Sequence, residues 1–208
     1  MFTIRKAALA AAALALLAPL VAAAVPAQAA GSVSYQKYSW SSAIYAIGQG
    51  SPRQLTVAEW VGLGSPKPQV VSWIEDSRVL RYPSNPSELF LEEPGLKAPR
   101  HHLSAMEWAG TGHAPNVDLD HSFSGYTWNE NILMVGRAIP PMRIDETVWN
   151  EFGRPTPQLQ ATNAGDQFCQ TPADNAVYWS NPAAGLSGRV HLTLEQYTRA
   201  GNPAFTPC

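Results

Sequence analysis

Histidines and carboxylates crowd one stretch of this chain: His113, Asp118, Asp120 and His121, with His101 and His102 shortly upstream. Imidazole and carboxylate groups are ligands for Zn²⁺. Their spacing follows no metal motif, so no metal or cofactor is assigned. A glycosidase would need two carboxylates across a cleft. Glu59 and Glu107 recur at equivalent places, but each stands three residues after a Thr or Ser, where a capping box needs it. No G-x-S-x-G elbow occurs, and Glu75-Asp76 and Glu92-Glu93 read as solvated turn charges. No catalytic residue emerges. The two cysteines, Cys169 and Cys208, are best used in a disulfide, which an even count in an exported chain favours. Closing that loop stabilises by roughly 4 kcal/mol on loop-closure entropy.

The elements that would position any site come from a repeat. Four segments share a cap, a helix and a stop. Thr56, Ser104, Asp145 and Thr193 each stand four residues before an aromatic anchor, Trp60, Trp108, Trp149 or Tyr197. Each is a good N-cap. Glu59, Glu107 and Gln196 complete a capping box in three copies, and Val148 breaks it in the third. Leu55, Leu103, Ile144 and Leu192 precede the caps and form hydrophobic staples with the anchors, which read as core. Gly64, Gly112, Gly153 and Gly201 follow every anchor by four residues and suit a left-handed helix stop. Such helices have about two turns and must dock on a sheet.

Aliphatic and aromatic runs around Tyr45, Phe90, Leu133 and Tyr178 read as strands. The stretch from Gln69 to Ile74 could add one more strand. The expected fold is mainly β with short helices: four tandem strand–turn–strand–helix repeats packed as one array, open or closed. Residues 30–208 form one domain, with copies at about 33–73, 74–118, 119–161 and 162–208. Tyr38 and Trp40 in the first copy, and Tyr126 and Trp128 in the third, fall at matching places before the strand. These four are the candidate binding residues, because rings with a polar handle suit recognition surfaces. They would serve equally as packing between repeats.

The N-terminus reads as a signal peptide. Arg5 and Lys6 precede an apolar run from Ala7 to Val25, and Ala27 and Ala29 fit an A-x-A cleavage site, giving a leader of 1–29. No second apolar segment of spanning length follows, so no membrane span is expected after processing. The whole chain carries a net charge of −2, and losing Arg5 and Lys6 makes it more acidic. That lacks the basic footprint of a nucleic-acid binder. Charged residues are only 14%, against 18 prolines and 15 glycines, which points to a turn-rich exported protein.

The segment pattern L-[ST]-x-x-[EQ]-[WY]-x3-G-x-P resembles repeats in secreted and cell-surface proteins of actinobacteria. The resemblance covers Tyr38 to Pro207. Leu63-Gly64-Ser65-Pro66 and Val177-Tyr178-Trp179-Ser180-Asn181-Pro182 are also faintly similar to the LGFP repeat of envelope-associated proteins, although its phenylalanine is absent from every copy. The resemblance implies export and association with the envelope, and carries over no catalytic residue. The expected function is a secreted, non-catalytic binding module for cell-envelope or extracellular polysaccharide. The alternatives are an extracellular protein-interaction or inhibitor module, and a hydrolase with an unrecognised site. The oligomeric state is not legible.

Overall fold

Cap chemistry sets where each helix starts. Thr56, Ser104, Asp145 and Thr193 hold extended backbone, and each side chain accepts from the N–H three residues on. Glu59, Glu107 and Gln196 in return accept from the cap N–H at 2.8, 2.7 and 2.9 Å. The bond from the Thr56 N–H and the nearby Arg53 hold the Glu59 carboxyl down at about 2. The resulting helices are α1 (Val57–Gly62), α2 (Ala105–Gly110), α3 (Glu146–Glu151) and α4 (Leu194–Arg199). All four stop in a Schellman motif. The N–H of Gly64, Gly112, Gly153 and Gly201, at φ between +74° and +85°, bonds back three residues. The next N–H reaches the carbonyl of the anchor aromatic, five residues back. Ser65, His113, Arg154 and Asn202 also take positive φ there.

The structure, a computed structural model, describes residues 33–48 and 50–208, so the expected signal peptide lies outside the described residues. Among the described residues no helix is long and apolar enough to cross a membrane. Each copy builds its own four-stranded sheet. The first holds β1 (Ser34–Lys37), β2 (Tyr45–Ile47), β3 (Arg53–Gln54) and β4 (Gln69–Val70). The second holds β5 (Arg78–Arg81), β6 (Leu89–Glu92), β7 (His101–Leu103) and β8 (Asn116–Asp118). The third holds β9 (His121–Tyr126), β10 (Ile132–Gly136), β11 (Met142–Ile144) and β12 (Gln158–Gln160). The fourth holds β13 (Gln167–Gln170), β14 (Val177–Asn181), β15 (Leu186–His191) and β16 (Thr206–Pro207). In every sheet the strand order is third, second, first, fourth. The first three strands run antiparallel, and the fourth lies parallel to the first after the helix crosses over.

The unit is thus larger than strand–turn–strand–helix. A first strand precedes, and a short fourth strand follows the helix. The aromatic positions Tyr38 and Tyr126 adjoin or end the first strand rather than standing before the strands. The fourth strands are two or three residues long and carry no apolar alternation, so sequence pattern exposes only the first copy's version, at Gln69–Val70.

Alternation along each strand feeds two different cores. In the second sheet Val79 and Leu91 point toward the first copy, and Leu80 and Phe90 point toward the third. Three buried clusters result. The first joins Tyr38 and Tyr45 to Val79, Leu91 and Leu103. The second joins Leu80, Tyr82 and Phe90 to Phe123 and Ile144. The third joins Tyr126, Trp128 and Leu133 to Phe168, Trp179 and Leu192. Each cluster links consecutive copies, and none among the described residues links the fourth copy to the first. The copies stack as an array in which each buries its neighbour's apolar face.

The staple residues Leu55, Leu103, Ile144 and Leu192 are buried at 4–7% exposure. The anchors are not fully core. Trp60, Trp108, Trp149 and Tyr197 are half-buried, because a six-residue helix reaches only the sheet margin. In three copies the anchor's polar atom ties down the loop beyond. Trp108 Nε1, Trp149 Nε1 and the Tyr197 hydroxyl donate to the carbonyls of Ala114, Pro155 and Pro203, six residues on.

Cys169 on β13 and Cys208 beside β16 form the expected disulfide, closing the edge where the fourth strand pairs with the first. Cys208→Ser should lower stability by roughly 2–4 kcal/mol. Thermal unfolding checks this, and an unchanged Tm would mean that β16 is held without the bridge.

Candidate functional site

Three of the four candidate binding rings present no free face, and the fourth, Trp40, lines the cleft of the first copy. Tyr38 is 0%, Tyr126 3% and Trp128 6% exposed. They form the inter-repeat cores, because each first strand must fill the hollow of the next copy. The Tyr38 hydroxyl accepts from the Ile74 N–H and bonds Ser77 Oγ in the linker to copy two. The Tyr126 hydroxyl donates to Asp166 Oδ1 at 2.7 Å, in the linker to copy four. Trp128 Nε1 donates to the Ala161 carbonyl. Trp40 is half-buried, with Tyr38 stacked on it at 4.7 Å and His101 at 4.2 Å. Tyr38, Tyr126 and Trp128 are therefore packing devices, whereas Trp40 both packs and borders open space. Their nearly periodic placement before strand two is the trace of that packing.

The histidine and aspartate stretch is likewise committed. Arg81 holds Asp118 with two bonds of 2.6 and 3.0 Å and lowers its pKa. His113 lies edge-on to Trp108, and His121 pairs with Asp120. Among the described residues no three His, Cys, Asp or Glu side chains come together as a metal site. His102 stacks on Phe90 across the strand pair. Glu59 and Glu107 sit in capping boxes of separate helices.

Open space lies elsewhere, and it repeats. A groove of about 350 Å³ in the third copy is bounded by Glu130 and Asn131 before β10, Arg143 and Ile144 on β11, and Glu146 at the start of α3. One of about 180 Å³ in the fourth copy is bounded by the equivalent Asn175, Ala176, His191, Leu192 and Leu194. The first copy offers the same positions, Ser42, Ala43, Gln54, Leu55 and Val57, within a larger cleft of about 500 Å³. In the second copy the corresponding loop residue, Glu88, is engaged by the N–H and hydroxyl of Thr156. One aligned slot carries an exposed polar side chain in each groove: Gln54, Arg143 or His191.

No family model, no curated protein and no solved structure matches this chain. Its function must therefore be argued from the geometry alone.

The cleft of the first copy is enlarged because the second copy supplies its far wall, from Glu93 to His101. Glu93 is the residue that sequence reading placed wrongly. It is 7% exposed, not a solvated turn charge. Its Oε2 accepts from the Tyr45 hydroxyl at 2.8 Å and from Ser41 Oγ at 3.1 Å. Burial, and then donation to this carboxylate, push the Tyr45 phenol far up, so it stays a proton donor at neutral pH. Glu92 is also drawn in, bonding Arg100 through Oε2 at 3.1 and 3.3 Å. A pair of adjacent glutamates in a Pro- and Gly-rich loop carries no signal of burial, which is why this site was missed.

One further surface is left uncovered by the described residues. The outer face of the first sheet bears Tyr35, Trp60, Val33 and Leu63, and lines a hollow of about 420 Å³. Leu63 is 51% exposed, whereas Phe152 and Ala200, its counterparts in later copies, pack into inter-repeat cores.

Proposed function

We propose that this chain is an exported, non-catalytic module that binds a repeating envelope or extracellular polysaccharide. The observation that carries this is the recurrence of one groove, built from equivalent residues, in copies one, three and four. Equivalent shallow sites in a row suit a ligand that is itself repetitive. Each site alone binds weakly, and joint engagement raises avidity by orders of magnitude. The aligned slots offer an amide, a guanidinium and an imidazole, donors that suit ligand hydroxyls. Export is supported by the leader-like N-terminus and by the Cys169–Cys208 disulfide, which persists in oxidising compartments.

The test is co-sedimentation of the mature protein with insoluble peptidoglycan–polysaccharide. Wild type should pellet without releasing soluble sugar. Arg143→Ala and His191→Ala should each weaken binding about 3- to 10-fold, and the double variant more than either, as loss of linked sites requires. Gln54→Ala should add to the loss. Equal pelleting of wild type and the triple variant would remove the grooves from the function. Sugar release over time would replace binding by hydrolysis.

The uncovered apolar face of the first sheet favours a second reading, an extracellular protein partner. A protein that fails to pellet with any polysaccharide, and whose partner binding is abolished by Leu63→Asp, would establish that reading instead.

A further inference from the structure

We propose that the cleft between the first and second copies is a subsite for a protonated amino group on a sugar ring, with Glu93 as its counter-ion. This rests on the polysaccharide-binding reading and names the sugar class that the largest groove selects.

Glu93 is a buried carboxylate with no cationic partner among the described residues. The nearest arginine in the cleft wall, Arg100, is committed to Glu92 and to the Tyr82 hydroxyl. Taking a carboxylate out of water is costly unless a charge and full hydrogen bonding compensate it. Tyr45 and Ser41 provide two neutral bonds, both to Oε2. Oε1 receives no donor from the described residues, and Glu93 lines the cleft. The carboxylate is thus oriented by the protein and left with one oxygen for a ligand.

The chemistry of that ligand follows from what the cleft lacks. A bare divalent ion would need several oxygen ligands, and among the described residues Glu93 belongs to no group of three or more His, Cys, Asp or Glu side chains. An ammonium group needs only a few acceptors, and a charge-assisted bond to a carboxylate is about twice as strong as a neutral one. Ser41 and Ser42 line the same cleft and offer hydroxyl acceptors. Leu96, Ala98 and Pro99 provide an apolar wall against which a pyranose ring can lie. The equivalent grooves in copies three and four lack this second wall, and the carboxylates of the copy-three groove, Glu130, Asp145 and Glu146, are exposed, so among these grooves a buried counter-ion belongs to the first copy.

The experiment is calorimetric titration of wild type at pH 6 with two hexasaccharides, one of β-1,4-linked glucosamine and one of its N-acetylated form. The free-amine hexamer should bind at least tenfold more tightly. Glu93→Gln keeps an acceptor for Tyr45 and Ser41 and removes the charge, so it should reduce the free-amine hexamer to the affinity of the acetylated one. Equal affinity of the two hexamers for wild type overturns the proposal without any variant. A preference that survives in folded Glu93→Gln also overturns it. If the hexamers are not distinguished but the protein still pellets with polysaccharide, only this inference falls. If neither hexamer binds and nothing pellets, the polysaccharide reading falls with it.

Discussion

Tyr82→Ala should destabilise the protein by about 3–5 kcal/mol, the range for deleting a large buried ring. Tyr82 is 0% exposed and stands between the second and third copies. Its ring meets Phe90, Phe123, His121 and Phe152 edge-on, at centroid distances from 5.0 to 6.4 Å. Its hydroxyl donates to the Phe152 carbonyl at 3.2 Å and accepts from Arg100. Deleting the ring opens a cavity walled by rings from two sheets, and neither sheet can close it without losing strand register. Tyr82→Phe keeps the volume and should cost only about 1–2 kcal/mol for the orphaned bonds. Urea unfolding of both variants measures the two losses separately. A loss below about 1 kcal/mol in the alanine variant would mean that the second and third copies do not depend on this contact.

Tyr82 also marks how far the sequence is legible. The caps, staples and glycine stops are local chemistry, repeated four times, and they place every helix to within a residue. The second strands, around Tyr45, Phe90, Leu133 and Tyr178, are apolar enough to be seen. The first strands are harder, since Ser34–Lys37 and Gln167–Gln170 are mostly polar. Tyr38, Tyr82 and Tyr126 look alike in sequence whether they face solvent or a neighbouring sheet. Which occurs depends on stacking between copies, a long-range property that no local pattern encodes. Glu93 is hidden for the same reason: its burial comes from Tyr45 and Ser41, residues 48 and 52 positions away. The groove slots Gln54, Arg143 and His191 each stand two residues before a cap, yet their common feature is the open space beside them. Their differing chemistry obscures it.

The same stacking makes stability steeply dependent on alkaline pH. Burial raises the phenol pKa of Tyr38, Tyr45, Tyr82 and Tyr126. For Tyr45 and Tyr126, donation to the carboxylates of Glu93 and Asp166 raises it further. For Tyr82, Arg100 opposes part of the rise. In the unfolded chain all four phenols titrate near pH 10. Above that pH the folded state retains protons that the unfolded state has released, so the unfolded state binds fewer. Stability must then fall as pH rises, by about 1.4 kcal/mol per pH unit for each retained proton. Four retained protons give a limiting slope of about 5 kcal/mol per unit, comparable to a small domain's entire stability. The contribution is fully present below pH 10 and is lost as pH climbs through the folded-state values. Urea midpoints should therefore be flat from pH 7 to 9.5 in respect of these groups and drop sharply between 10 and 11. Tyr38→Phe removes one titrating phenol and should reduce the slope by about a fourth. A midpoint that stays level to pH 11.5 would mean that these hydroxyls are reached by water, and with it the inter-repeat cores would lose their claim to be closed.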